Sequence, residues 1–116
     1  MARTVVAKSN ALGPYKGAWD TLTMAAGDVA NGNYFVLTGK EILVMYNSSA
    51  DTAYHVTIDS VDDSFGRQED ITEVDIPFGT YRMFGPIYLE GWAQTNNWLH
   101  VNVENAAILL GVIVIP

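Results

Sequence analysis

The chain has 116 residues, 49% of them hydrophobic and 16% charged, with a formal net charge of -7 and no cysteine. That length supports one core burying roughly two thirds of the unfolded surface, and the apolar share excludes a disordered chain. Six Lys and Arg against 13 Asp and Glu exclude the clustered cations of a nucleic-acid-binding face, and the missing thiols exclude a disulfide framework or a thiolate zinc site.

The opening MARTVVAKSN has no apolar signal core, so the chain is expected to be soluble and not signal-directed. Arg3, Lys8 and Lys16 stand in residues 1 to 19 without an acid, a basic start able to pair with an acidic face on this chain or another. RTVVA has strand propensity, and SNALGPYKG follows with two glycines and a proline. Two readings fit. Residues 1 to 18 form an extended arm on a domain at 19 to 116 and dock on a neighbouring subunit by strand addition. The interface is then Arg3, Thr4, Val5, Val6 and Lys8, with Arg3 and Lys8 meeting acids such as Asp62 or Glu69. In the other, RTVVA is the first strand of its own sandwich.

DTLTM reads as a strand. MAAGDVANG at 24 to 32 is the one helix candidate, but Gly27 and Gly32 interrupt it and allow one turn at most. NGN at 31 to 33 is a turn. In EILVMYN, Ile42, Val44 and Tyr46 share one face and Leu43 and Met45 the other, which predicts a central strand covered on both sides. YHVTID turns Tyr54, Val56 and Ile58 inward and His55, Thr57 and Asp59 outward, and NSSADTA between the two runs predicts a hairpin. ITEVDI, TYRMFG, IYLEGW, WLHVNV and AILLGVIVI are further strands, with TNN at 95 to 97 as a turn. The last apolar run has about half the residues of a membrane helix. Period-two patterning with turns every ten or so residues predicts an all-β single domain of roughly eight to ten strands, an antiparallel sandwich or jelly-roll-like barrel.

Residues 57 to 76 hold seven of the 13 acids and one base, Arg67. Counted from Asp59, the third position is Val61 and the sixth Ser64, which breaks the helix-loop-helix calcium pattern. The favoured reading is a shaped, charged loop: Gly66 supplies a positive φ, and Arg67 forks between carboxylates among Asp59, Asp63 and Asp70. His55 and His100 fall on alternating outward positions without metal-ligand spacing. No GxSxG turn or glycine-rich phosphate cradle occurs, so no catalytic, metal or cofactor residue is assigned and the chain is expected not to be an enzyme. Trp19, Trp92 and Trp98 could alternatively build a sugar-stacking platform on a carbohydrate-binding sandwich, although core and strand-end roles are favoured for them.

VTIDSVDDSFGRQEDIT, FGTYRMFGP, EGW and ARTVVAK resemble small virion proteins of tailed phages and prophages, of the head-decoration kind. The resemblance spans most of the chain and rests on turn and strand residues. Asp59, Asp63, Gly66, Arg67, Asp70, Gly85, Pro86, Gly91 and Trp92 match as shape-determining positions. It implies a non-enzymatic β-sandwich assembled in the host cytoplasm. Such a protein sits on the virion as a homo-oligomer in many copies and binds the major capsid protein or other virion subunits, without cofactor, membrane or direct nucleic-acid contact. It does not decide between head and tail.

Overall fold

The computed structural model describes residues 3–10, 21–61 and 71–115. The strands are β1 (Thr4–Val5), β2 (Lys8–Asn10), β3 (Ala25–Ala26), β4 (Asn33–Val36), β5 (Glu41–Asn47), β6 (Tyr54–Ile58), β7 (Ile71–Ile76), β8 (Tyr81–Phe84), β9 (Trp98–Val103) and β10 (Ile108–Val114). Thr95–Asn97 forms a 3-10 turn, and no α-helix occurs among the described residues. One sheet has the order β1-β4-β9-β6-β7 and the other β2-β10-β5-β8, with β3 also on β10. The fold is a β-sandwich of two mixed sheets.

The core lies between the sheets and follows strand alternation. Leu99, Val101 and Val103 of β9, Val56 and Ile58 of β6 and Phe35 of β4 face Leu43 and Met45 of β5 and Ile108, Leu110 and Val112 of β10, all buried in one cluster. β5 is central, between β10 and β8, as its two apolar faces predict. On the outer face of the neighbouring β10, residues 22–24 cross at Gly111; a Cβ there would lie 2.8 Å from the Thr23 carbonyl oxygen.

The chain start is shared between the sheets. β1 pairs parallel with β4 and β2 parallel with β10, and Val6 between them is a core residue at 4% exposure. Thr4 N–H donates to the Gly32 carbonyl at 3.0 Å and Val6 N–H to that of Tyr34 at 2.8 Å. Residues 3–10 therefore have their strand partners in this chain, and Val6, expected on a partner-facing arm, packs inside. These two strands also make the sheets mixed where an antiparallel sandwich was expected.

Four local expectations are corrected. EILVMYN and YHVTID do not form a hairpin: β5 and β6 lie in opposite sheets. Asn47, buried at the end of β5, fixes the crossing by donating from Nδ2 to the carbonyls of Thr52 and Ile76, both at 2.8 Å, and accepting from Ser49 N–H. IYLEGW is irregular, because Trp92 and Ala93 N–H turn back to the Leu89 carbonyl and Gly85 and Gly91 take positive φ. Residues 21–24 of DTLTM pass over β10 without joining a ladder. NYFV, not expected as a strand and beginning on the last residue of the expected turn at 31 to 33, is β4; it inserts Phe35 between sheets and carries Leu37 into the core behind it.

Candidate interaction surface

The basic start meets acids inside this chain. Arg3 on the way into β1 reaches over β4, where its guanidinium donates to the Asn33 carbonyl at 3.2 Å and to Asn102 Oδ1 at 2.9 Å, and it stands 3.9 Å from Asp59 Oδ2. Asn102 Nδ2 donates to the same Asp59 oxygen at 3.1 Å. Thr4 Oγ1 donates to Asp28, whose carboxyl is held below its usual range by that bond and by those from Asn31. Lys8 Nζ donates to the Val36 carbonyl at 2.6 Å and to Glu41 Oε2 at 3.3 Å.

Glu41 has no exposed surface, and burial by itself would raise its carboxyl. Thr38 Oγ1 and N–H, each at 2.6 Å, and the Lys8 ammonium outweigh the burial and hold it below the ordinary glutamate value. Of the expected partner-interface residues, Thr4, Val5 and Lys8 keep exposed surface, and Val5 is 60% exposed. Of the expected loop-organising residues, Asp59 is the one described; Asp63, Gly66, Arg67 and Asp70 lie outside the described residues, as do Asp62, Glu69 and Trp19. Among the described residues, the cation beside Asp59 is Arg3.

The outer face of the first sheet carries two polar groups. His55 on β6 sits between Asp75 of β7, 3.6 Å from Nε2, and Glu104 beyond β9, 3.3 Å from Nδ1. Beside it lies a depression of about 210 Å³ lined by Thr57, Glu73 and Asn102 among others, below the range of small-molecule pockets. Among the described residues no three His, Asp or Glu converge as metal ligands. His100 on β9 is held below the ordinary histidine value by burial first and by the Arg3 cation second, against the opposing pull of Asp59. It stays neutral at pH 7 and packs edge-on against Trp98. Trp98 in turn stacks on Tyr34 with ring centroids 3.7 Å apart, and Trp92 packs edge-on against Phe84 beside the core. The tryptophans expected at strand ends are spent on neighbours.

The remaining feature is apolar and was not singled out in the sequence. Eight large hydrophobic side chains are exposed among the described residues, and four of them, Phe78, Tyr81, Met83 and Tyr88, at 53 to 75%, fall on β8 or just beside it. Among the described residues β8 is one edge of the second sheet, opposite β2. Asn47 N–H donates to the Thr80 carbonyl at 3.1 Å. Alternation along an antiparallel ladder then turns the amides of Arg82 and Phe84 toward β5 and those of Tyr81 and Met83 to the open side.

The strand is stopped by Gly85, with φ +133 and a cis bond to Pro86; a side chain at Gly85 would strike the Glu41 carbonyl oxygen at 2.6 Å. Arg82 forms no ion pair among the described residues. The opposite case is β7, which among the described residues is the edge of the first sheet opposite β1. Two of its residues stand opposite Thr57, Glu73 there has φ +52, and Glu73 and Asp75 are exposed. Bulges and charges are how sheets blunt an edge. The sequence signal for β8 as a strand was present in TYRMFG, but nothing in those residues says that the strand is an edge. Comparison with known proteins finds no matching family model, no matching curated protein and no matching solved structure.

Proposed function

We propose that the chain is a non-enzymatic structural protein of a tailed-phage virion, which decorates and stabilises the capsid by binding neighbouring capsid subunits in many copies. The observation that carries the assembly part is the unblunted edge β8, with Tyr81 and Met83 exposed, open amides at both and Phe78 and Tyr88 beside it. Exposed apolar groups concentrated on one strand edge suit a protein that loses this surface to a neighbour. The virion part rests on the resemblance of the loop, FGTYRMFGP and EGW segments to phage decoration proteins. The test is electron microscopy of candidate phage capsids with and without the purified chain, expected to show added density repeated over the shell. Shells that remain bare at saturating protein overturn the proposal.

A second reading, a carbohydrate-binding module for surface attachment, draws on the half-buried Tyr34 and Trp98 on the outer face of the first sheet. Their mutual stacking already uses one face of each ring. Saturable binding on a glycan array, lost in Trp98→Ala, would favour this reading over the first.

A further inference from the structure

We infer that the open edge of β8 pairs antiparallel with β8 of a second copy about a two-fold axis at Met83, joining the two second sheets into one continuous sheet. The inference rests on the assembly reading above and names the partner that this edge takes.

Three features of the edge select a second copy. The first is backbone complementarity. The outward N–H and C=O of Met83 are the pair that a residue on the axis exchanges with its own symmetry mate in a hydrogen-bonded antiparallel position. The second is side-chain register. With the axis at Met83, each Arg82 lies opposite Phe84 of the second copy, where a guanidinium over an aromatic ring is favourable. Each Tyr81, stacked on Tyr46 of its own chain with ring centroids 4.3 Å apart, lies opposite Gly85 of the second copy, which brings no side chain against it. Moving the axis to Arg82 would set two guanidinium groups opposite each other, which is unfavourable. The third is charge. Two chains of net charge -7 repel, and their approach is least opposed where no carboxylate stands. β8 reads Tyr-Arg-Met-Phe, whereas β7 presents Glu73 and Asp75.

Phe78, Tyr81, Met83 and Tyr88 are more than half exposed, and at roughly 200 Å² per large side chain they offer at most about 500 Å² per copy, or about 1,000 Å² in the pair, which reaches the lower end of specific interfaces.

The experiment uses the full chain alone. Sedimentation velocity is expected to give a concentration-dependent species of twice the 12.7 kDa chain mass. Met83→Pro removes the outward N–H and no bond to β5, and Met83→Glu sets two carboxylates across the axis. Both are expected to weaken dimerisation at least about tenfold while the circular dichroism spectrum is unchanged. Because the chain has no cysteine, Met83→Cys tests the register directly. With oxidised glutathione it is expected to form a covalent dimer on a non-reducing gel, whereas Ser48→Cys, away from the edge, is expected not to.

A wild-type chain that stays monomeric at about 100 μM, well above the affinity of a specific interface, overturns the inference. So does a dimer that Met83→Glu leaves intact, or a Met83→Cys chain that cross-links no better than Ser48→Cys. Co-sedimentation with phage shells is read separately: a monomer that binds shells sinks this inference and leaves the proposed function standing, and a β8-dependent dimer that ignores them does the reverse.

Discussion

At Glu41 three segments meet: β5, which carries it, the Thr38–Lys40 turn before it, and β2 through Lys8. A carboxylate without exposed surface is tolerable because its oxygens receive two Thr38 bonds and a cation. Its folded-state pKa is lowered, so the unfolded chain binds the proton more readily. Its contribution to stability is therefore complete above the unfolded value near 4.5 and is lost as pH falls through the lower folded value. Glu41→Gln cannot accept from Thr38 and Lys8 at both positions; with hydrogen bonds to charged groups at about 1.5 to 3 kcal/mol each, it is expected to lose about 2 to 4 kcal/mol at pH 7. It is also expected to lose less further stability than the wild type between pH 5 and 3. Urea unfolding at the three pH values measures both, and parallel acid limbs in the two proteins would assign the acid sensitivity elsewhere. Gly111 is the second residue whose identity the packing fixes. In Gly111→Ala the new carbon would lie 2.4 Å from Met24 Sδ and 2.8 Å from the Thr23 carbonyl oxygen. The sulfur can swing aside but the backbone oxygen must move, so a loss of about 1 to 3 kcal/mol is expected from urea midpoints. An unchanged midpoint would mean that residues 22–24 shift without cost.

At the scale of elements, β1 and β2 are short, and their place in the domain depends on what anchors them. Val6 enters the core, Arg3 spans from β1 across β4 to β9, and Lys8 ties β2 to Glu41. Deleting residues 1–10 removes a buried valine worth about 1.5 to 3 kcal/mol, both strand pairings and the cation of Glu41. The shortened chain is expected to unfold at clearly lower urea than the full one. A wild-type melting profile would restore the reading of this segment as a detachable arm. The strands that proved legible were those with a clean alternation of apolar and polar faces: Tyr54, Val56 and Ile58 of β6, and Leu99, Val101 and Val103 of β9. β5 was legible as central because both of its faces are apolar. Pairing was not legible. The hairpin expected between β5 and β6 failed because a polar loop of six residues can close a hairpin or cross between sheets. The choice is made by Asn47 bonding to Ile76, far along the chain. IYLEGW has strand-like residues, but Ile87 and Leu89 pack against the core from a chain bent at Gly85 and Gly91.

For the whole molecule, the acidic charge and the apolar edge act in opposite directions. The sequence announced the first through its 13 acids. It did not announce the second, because edge position is a property of strand order and no residue within TYRMFG encodes it. The expected Arg67 fork lies outside the described residues, and Arg3 takes the Asp59 side of the basic and acidic pairing that the charge asymmetry led one to expect. These opposing terms set the salt dependence of self-association. An interface held by surface ion pairs weakens as salt screens them, over a Debye length of about 10 Å at 0.1 M. Pairing through β8 has Arg82 as its one charge on the strand, while each copy brings a net charge of -7 to the encounter. Salt then screens a repulsion and removes little attraction. Dimerisation is expected to tighten by about two- to tenfold between 0.05 and 0.5 M sodium chloride, read by sedimentation equilibrium. Sodium sulfate, which strengthens apolar burial, is expected to tighten it further at equal ionic strength. A steep fall in affinity with salt would show that the copies meet through ion pairs and that the apolar edge of β8 is not the surface that joins them.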